Sequence, residues 1–188
     1  MNDIIYDKEF YGIDYTTTKI KNDYESCIFT NCNFSEISLR SFRFTECEFM
    51  DCDLSNAKID ETAFQDIQFI NCKLLGLKFD SCSPFLLTFN FINCNLNFTS
   101  FYQLKIEKTI FKNCKMHEID FAETNLSNAV FDNCDLSKSV FENSNLSKVN
   151  FISSYNFDIN PELNILKKAK FSKENVIGLL SSYNIEIT

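Results

Sequence analysis

Large apolar residues recur at every fifth position along most of this chain. The spacing resumes two residues late at Leu86 and then continues to Phe151. A period of five matches neither the 3.6 residues per turn of an α-helix nor the alternation of a flat strand. It predicts a chain that turns a corner every five residues and points one large side chain inward on each side. The first run of central residues is Tyr24, Phe29, Phe34, Leu39, Phe44, Phe49, Leu54, Ile59, Phe64, Phe69, Leu74 and Phe79.

A longer repeat of 20 residues, with one step of 22, contains this shorter one. A unit that reads Phe-X-(Asn/Asp)-Cys begins at Phe29, Phe49, Phe69, Phe91, Phe111 and Phe131. Four sides of five residues therefore close one coil, and the copies occupy the same side of successive coils. A single coil buries little apolar surface, so we expect stability to come from stacking, as in other solenoids.

The residue two places before most central residues is small or of medium size, as in Ala57, Thr62 and Cys72. With this feature the chain resembles the pentapeptide-repeat family, whose units read roughly Ala-(Asp/Asn)-Leu-X-X. The resemblance covers about residues 22 to 156. It implies an all-β fold, a right-handed quadrilateral β-helix with about 20 residues per coil.

The nine cysteines follow the same pattern. Eight lie two places before a central residue, and Cys82 does so in the unshifted register. Stacked strands are about 4.8 Å apart, beyond the roughly 3.5–4.5 Å between Cβ atoms in a disulfide. A straight column also cannot direct four thiolates tetrahedrally onto zinc. We expect free, buried cysteines and no disulfide, metal site or cofactor.

An Asn or Asp precedes the cysteine in each copy of the longer repeat, at the corner of the coil. These residues tolerate the positive φ that a type II turn demands, and a stacked column of Asn can form hydrogen bonds along the axis. They are Asn31, Asp51, Asn71, Asn93, Asn113 and Asn133.

Residues 1–188 are expected to form one domain. Residues 1–21 are out of phase and predict an N-terminal cap, either an irregular first coil or a covering strand. Residues 22–156 form the repeat. In residues 157–188, Leu166 and Phe171 return to the period and predict a last partial coil.

A short C-terminal α-helix is predicted after this coil, with Ser172 as its N-cap. A strand is expected over residues 185–187. The apolar face of the helix, which we assign to dimerisation, carries Val176, Ile177, Leu180 and Tyr183.

The repeat is interrupted by a two-residue insertion at residues 80–87. The insertion predicts a small bulge. Either it presents Pro84, Phe85 and Leu87 to a partner as an apolar knob, or it packs on its own coil.

The residues needed for catalysis are sparse. The single histidine, His117, follows the central Met116 and is expected to point outward. The three glycines are too scattered for a phosphate-binding loop, and no nucleophile motif is present. We expect a protein that is not an enzyme.

No apolar stretch approaches the roughly 20 residues of a membrane helix, and the N-terminus does not resemble a signal peptide. We therefore expect a cytoplasmic location and no membrane contact.

The charge is uneven. The formal net charge is −8, from 18 basic and 26 acidic residues, and residues 1–90 account for −7 of it. Such a balance disfavours direct nucleic-acid binding, which needs a basic surface. It suggests that the partner is another protein, contacted at the surface with which that protein binds DNA. The candidate acidic surface carries Glu46, Glu48, Asp51, Asp53, Asp60, Glu61, Asp66 and Asp80.

Within the family, the repeat and the tail from Leu166 to Tyr183 resemble the Qnr-type quinolone-resistance proteins. Those proteins are similar to DNA in size and charge and bind the type II topoisomerases DNA gyrase and topoisomerase IV. The resemblance implies a DNA-mimicking homodimer, paired through its C-terminal end, that binds such an enzyme and protects it from quinolones or toxins. The long loops that some Qnr proteins use for drug protection are missing from this sequence. The alternative function is a rigid interaction scaffold for another protein.

Overall fold

The computed structural model describes residues 4–21, 23–183 and 185–186 of the chain. They form a parallel β-solenoid with about 20 residues per coil. The predicted all-β pentapeptide-repeat β-helix is confirmed.

Two parallel sheets form two adjacent sides of the solenoid. In the repeat, strands pair with residues 20 positions later, as Phe29 does with Phe49. One sheet contains β1 (Ile5–Tyr6), β3 (Asp23–Glu25), β5 (Arg43–Thr45) and β7 (Ala63–Gln65). The other contains β2 (Glu9–Tyr11), β4 (Ile28–Thr30), β6 (Glu48–Met50), β8 (Ile67–Ile70), β9 (Phe89–Ile92), β10 (Ile110–Lys112) and β11 (Val130–Asp132).

The remaining two sides pair through isolated parallel bridges, such as that between Asn33 and Asp53. We number the four sides in chain order. Side 1 has Tyr24, Phe44 and Phe64 at its centre, side 2 has Phe29, Phe49 and Phe69, side 3 has Phe34, Leu54 and Leu74, and side 4 has Leu39, Ile59 and Phe79.

The central residues build the core as predicted. Apart from Leu86, those from 24 to 151 are at most 3% exposed. On side 2 the rings of Phe91, Phe111 and Phe131 stack face to face, with centroids 5.3 and 4.8 Å apart. Across the corner between sides 1 and 2 the rings of Phe44 and Phe49 meet edge to face with centroids 5.3 Å apart, and across the core the rings of Phe111 on side 2 and Phe121 on side 4 do so at 6.0 Å. Both geometries are favourable for aromatic pairs.

The cysteines are buried and the corner residues have the backbone conformation that was predicted. All nine cysteines are free and buried. Their thiols lie within hydrogen-bonding distance of carbonyl oxygens; the Cys72 Sγ, for example, is 3.2 Å from the Phe49 oxygen one coil below. The corner residues have positive φ, 52° at Asn113. The Asn113 side chain donates to the Oδ1 atom of Asn93 over 3.0 Å, so the column is bonded along the axis.

The N-terminal segment is a stacked first coil. Phe10 pairs with Phe29, 19 positions later, and the Tyr15 ring stacks on Phe34 with centroids 4.7 Å apart. This one-residue difference in spacing put the segment out of phase in the sequence, although it continues the same core.

The bulge differs from the prediction. Leu86 was expected inside and Leu87 outside, but Leu86 is 63% exposed and Leu87 is 6% exposed. Leu86 has a φ of 54°, so the backbone turns there as it does at a corner, and the next residue points inward. A 3₁₀ turn at Phe79–Ser81 precedes the bulge.

The predicted C-terminal α-helix is wrong. The tail forms two 3₁₀ segments, Val176–Leu179 and Ser181–Tyr183. Ser172 is not the N-cap of the first segment, because that position falls on Asn175, whose side chain makes no capping hydrogen bond. The Ser172 Oγ accepts a hydrogen bond from the backbone N–H of Asn175 at 3.1 Å, in the turn before the segment. The strand expected over 185–187 includes residue 187, which lies outside the described residues.

The cause of this difference is the way Gly178 docks on the last coil. Its carbonyl accepts a hydrogen bond from the backbone N–H of Ile159 at 2.9 Å, so the tail backbone bonds to the coil as well as to itself. A Cβ atom at Gly178 would meet the Phe157 oxygen at 2.4 Å and its ring carbons at 2.7 Å. Only glycine allows so close an approach.

Candidate partner-binding surface

Each five-residue side presents its polar residues in a fixed way. The residues before and after the central one point outward, and the corner residue follows. An Asn or Asp directly before the centre bonds the backbone two positions on: the Oδ1 atom of Asp53 accepts from the N–H of Ser55 at 2.9 Å. Asn125 does the same with Ser127 at 3.1 Å. This role went unassigned in the sequence, although the recurrence of Asn and Asp directly before central residues was the signal for it.

The structure does not bring the eight predicted acidic residues onto one face. They are distributed around the first half of the rod, on or beside all four sides. Glu46 and Asp66 are at the corner between sides 1 and 2, Glu48 is on side 2, Asp51 at the corner after it, Asp53 on side 3, Asp60 and Asp80 on side 4, and Glu61 at the corner after side 4.

Half of these carboxylates bond to neighbours on adjacent coils. Asp53 lies 3.7 Å from the Lys73 ammonium, and Asp51 accepts a hydrogen bond from Asn71 at 3.1 Å. Glu46 accepts a longer one from a serine one coil below, at 3.3 Å.

Glu61 is the most firmly held of this bonded group. Hydrogen bonds from Ser41 and then Arg40, together with the Arg40 charge, lower the pKa of Glu61. Bonds of this kind reduce the freedom of a carboxylate to meet a partner.

The other four carboxylates are available to a partner. Within the described ranges, 4–21, 23–183 and 185–186, their side chains make no hydrogen bond or ion pair. They are Glu48, Asp60, Asp66 and Asp80. Asp60 and Asp80 lie one coil apart on side 4, while Glu48 and Asp66 lie on or beside side 2.

The bulge exposes a different set of apolar residues from the one predicted. Pro84 is exposed, and Phe85 is 69% exposed. Leu87 cannot contact a partner, because its side chain is in the core. Leu86 takes its place on the surface. We call Phe85 and Leu86 the apolar knob.

The predicted dimerisation residues lie at the C-terminal end of the rod. Val176, Ile177 and Tyr183 are 39%, 52% and 47% exposed, and Leu180 is half-buried. The Tyr183 hydroxyl donates to the carboxylate of Glu162 at 3.3 Å. Leu179, between them, packs against the core.

His117 is half-buried and paired. Its Nε2 atom lies 2.7 Å from the Oδ2 atom of Asp135. The other carboxylate oxygen of Asp135, Oδ1, accepts hydrogen bonds from Ser137 and Asn156. Partial burial acts to raise the pKa of Asp135, but the hydrogen bonds from Ser137, Asn156 and His117 outweigh it and lower the pKa to about 2. The pair therefore fixes two coils of side 3 to one another.

The described part of the chain contains no cluster of His, Cys, Asp and Glu that could hold a metal ion. Burial raises the pKa of Cys47 to about 12, so this thiol stays protonated. Among the described residues, no helix has the length and apolarity needed to cross a membrane.

Comparisons with known proteins agree with this architecture. A trypsin-treated variant of QnrB1, a plasmid-mediated fluoroquinolone resistance protein, superposes with a TM-score of 0.51 at 20% identity, covering 99% of this chain and 100% of that one. HetL, a pentapeptide repeat protein involved in heterocyst differentiation regulation in the cyanobacterium Nostoc sp. strain PCC 7120, has a TM-score of 0.44 at 16% identity, with 88% and 86% covered. A search of curated protein sequences finds no significant match.

The family profile described as pentapeptide repeat region matches residues 22–90 and 86–155, most of the chain. The likeness to QnrB1 at 20% identity shows a shared fold. The chain belongs to the pentapeptide repeat family.

Proposed function

We propose that this protein is a non-enzymatic DNA mimic that binds a type II topoisomerase, DNA gyrase or topoisomerase IV, in the cytoplasm. The observation that carries the proposal is the unpaired carboxylates around the first half of the rod, within the part of the chain that the structure describes. A rod with acidic groups at regular coil spacing presents a regular negative charge pattern. A surface that binds DNA selects a pattern of this kind. The resistance proteins with the same fold support the choice of partner.

In this function the exposed tail residues Val176, Ile177 and Tyr183, with Leu180, pair two copies end to end. Pairing through the tails would join two rods with their acidic first halves at the two outer ends. Drug protection by this chain would have to act without a long loop, because its insertion is the short bulge at residues 80–87.

The proposal is tested by measuring the binding of purified gyrase and topoisomerase IV to two double variants. Asp60→Asn with Asp80→Asn neutralises side 4, and Glu48→Gln with Asp66→Asn neutralises the surface around side 2. These four side chains make no bond to the described residues, so the variants are expected to remain as stable as the wild type. The double variant on the contact surface should weaken binding at least about tenfold.

Glu142→Gln is the matched control, since Glu142 occupies the same row of side 4 as Asp60 and Asp80 but lies in the second half. It should leave binding unchanged. Binding that survives both double variants would refute DNA mimicry by the acidic first half.

A second function, a scaffold for another protein partner, is favoured by the apolar knob. Phe85 and Leu86 are 69% and 63% exposed, next to each other, on a rigid support. Contiguous exposed apolar surface is a feature of protein contact sites, and these two side chains would be its centre. Under this function, Phe85→Ser abolishes capture of the partner and the acidic double variants have no effect.

A further inference from the structure

The corner between sides 1 and 2 carries a charge pattern that the net charge of each half conceals. We call this corner edge 1–2. Its residues have positive φ in every coil except at the bulge. In chain order they are Asp7, Ser26, Glu46, Asp66, Thr88, Lys108, Asn128, Lys148 and Lys168.

Backbone hydrogen bonds establish that these residues stack. The N–H of Ser26 donates to the carbonyl of Thr45, the residue before Glu46, at 2.9 Å. At the insertion, the N–H of Asp66 donates to the Thr88 Oγ1 at 2.8 Å. The pairing of β9 with β10 then places Thr88 level with Lys108. Edge 1–2 is therefore one continuous line along the rod.

The line is acidic before the insertion and basic after it. The row beside it on side 2 repeats the pattern, with Glu9 and Glu48 near the N-terminal end and Lys170 at the other. Beside the midpoint, at Thr88, lies the apolar knob. The charged residues of edge 1–2 are exposed, and in the part of the chain that the structure describes none of them forms an ion pair.

Such a line is complementary to an inverted copy of itself. We propose that edge 1–2 is a self-association surface, on which a second copy of this chain packs antiparallel about a two-fold axis at Thr88. Asp66 then faces Lys108 of the other copy, and Asp7 faces Lys168. In the flanking row Glu9 faces Lys170. In every other pairing along edge 1–2 and along the flanking row, at least one of the two residues is uncharged. No like charges therefore meet.

The two-fold axis also brings the apolar knobs together. This two-fold axis is perpendicular to the rods and reverses their direction. It therefore leaves side 1 of one copy next to side 1 of the other. Phe85 and Leu86 of each copy are then level with their equivalents and close the middle of the interface. A parallel arrangement would place Asp66 against Asp66 and Lys108 against Lys108, which electrostatic repulsion disfavours. The antiparallel contact is isologous and closes as a dimer.

The contact is narrow, since it follows one corner and a short knob. We expect a weak, reversible dimer, as for other small interfaces. Exposed ion pairs are screened by salt, so the dimer should dissociate as the salt concentration rises. This surface is separate from the tail, and either pairing can exist without the other.

Sedimentation velocity over a concentration series tests the proposal. Asp66→Lys and Lys108→Asp should each weaken association at least about tenfold at low salt. The double variant, with the charges exchanged, should recover it, because the lysine introduced in place of Asp66 then faces the aspartate introduced in place of Lys108 on the other copy. Both residue types already occur at this corner with positive φ, so the exchange suits the backbone.

Glu36→Lys is the matched control, because Glu36 is an exposed corner residue with a φ of 60° between sides 3 and 4. It replaces an acidic corner residue with lysine, as Asp66→Lys does, and should leave association unchanged. A wild-type protein that stays monomeric at low salt would overturn the proposal. So would a double variant that does not recover, or a dimer that survives both reversals and is lost only in Ile177→Asp.

Discussion

At the scale of single residues, the fold depends on one buried ring per side. Phe111 is fully buried between the stacked rings of Phe91 and Phe131. Phe111→Ala removes both stacking contacts and leaves a cavity that rigid coils cannot close. We expect a loss of roughly 3–5 kcal/mol in the free energy of unfolding, measured by chemical denaturation. Ile110→Ala, next to it and 43% exposed, should change little; equal losses would contradict the inward and outward assignment.

Asp135 gives the fold a defined response to acid. Its pKa is lowered to about 2, whereas an aspartate in the unfolded chain titrates near 3.9. The folded state therefore binds this proton less readily, and the stability from Asp135 is fully present above pH of about 4 and is lost as the pH falls towards about 2. In Asp135→Asn this part of the pH dependence should disappear. An unchanged slope of unfolding free energy against pH in that range would show that the bonds of Asp135 do not favour its charged form.

The bulge residues provide a second pair for comparison. Leu87 is in the core and Leu86 is on the surface at positive φ. Leu87→Ala should lower the free energy of unfolding by roughly 2–5 kcal/mol. Leu86→Asn should be neutral or slightly stabilising, because asparagine tolerates this backbone conformation better than leucine. If thermal denaturation instead showed Leu86→Asn to be the more destabilising variant, Leu86 would be the inward residue, as the sequence predicted.

At the scale of elements, the tail docks through its backbone. Gly178→Ala would place a methyl group against Phe157 and break the hydrogen bond between its carbonyl and Ile159. We expect the two 3₁₀ segments to detach while the repeat remains folded. Hydrogen exchange at the Ile159 N–H should become faster, and proteolysis of residues 173–183 easier. Lys173→Ala, at an exposed tail position, is the control, and full protection of Ile159 in Gly178→Ala would contradict this docking.

The sequence predicted the repeat because stacking imposes the same demand on every coil. Inward residues at Phe111 and Cys72, and corner residues such as Asn113, are all placed by a period that can be counted. The period gives no information where it changes. The sequence assigned Leu86 to the core and Leu87 to the surface, the opposite of the structure. Counting residues cannot show which residue of the insertion turns the backbone. The first coil seemed out of phase because its step to the next one is 19.

The tail was mispredicted for a related reason. Val176, Ile177 and Leu180 have the spacing of an amphipathic helix, and Ser172 is a good cap. Local pattern therefore favoured an α-helix, but the close contact of Gly178 with the last coil joins parts of the chain that are apart in sequence. Tertiary packing overrode propensity, as it commonly does in short segments.

At the scale of the whole molecule, the distribution of charge depends on how the coils are wound. The sequence located the acidic residues in the first half but could not show that they surround the rod. The period does place Asp66 and Lys108 on one edge across the insertion, and the hydrogen bond from Asp66 to Thr88 and the pairing of β9 with β10 establish that line. The net charge of −1 in residues 91–188 conceals a row of lysines whose charge is balanced by acidic residues elsewhere on those coils.

The central claim is that the acidic first half occupies the DNA site of a type II topoisomerase. It is tested most directly by a DNA gyrase supercoiling assay with the purified protein, with and without ciprofloxacin. The account predicts that the wild type inhibits supercoiling or rescues it from the drug, and that one of the two double variants, Asp60→Asn with Asp80→Asn or Glu48→Gln with Asp66→Asn, loses this effect while Glu142→Gln keeps it. No effect of the wild type at micromolar concentration on gyrase, and none on topoisomerase IV, would contradict the claim and favour the scaffold function.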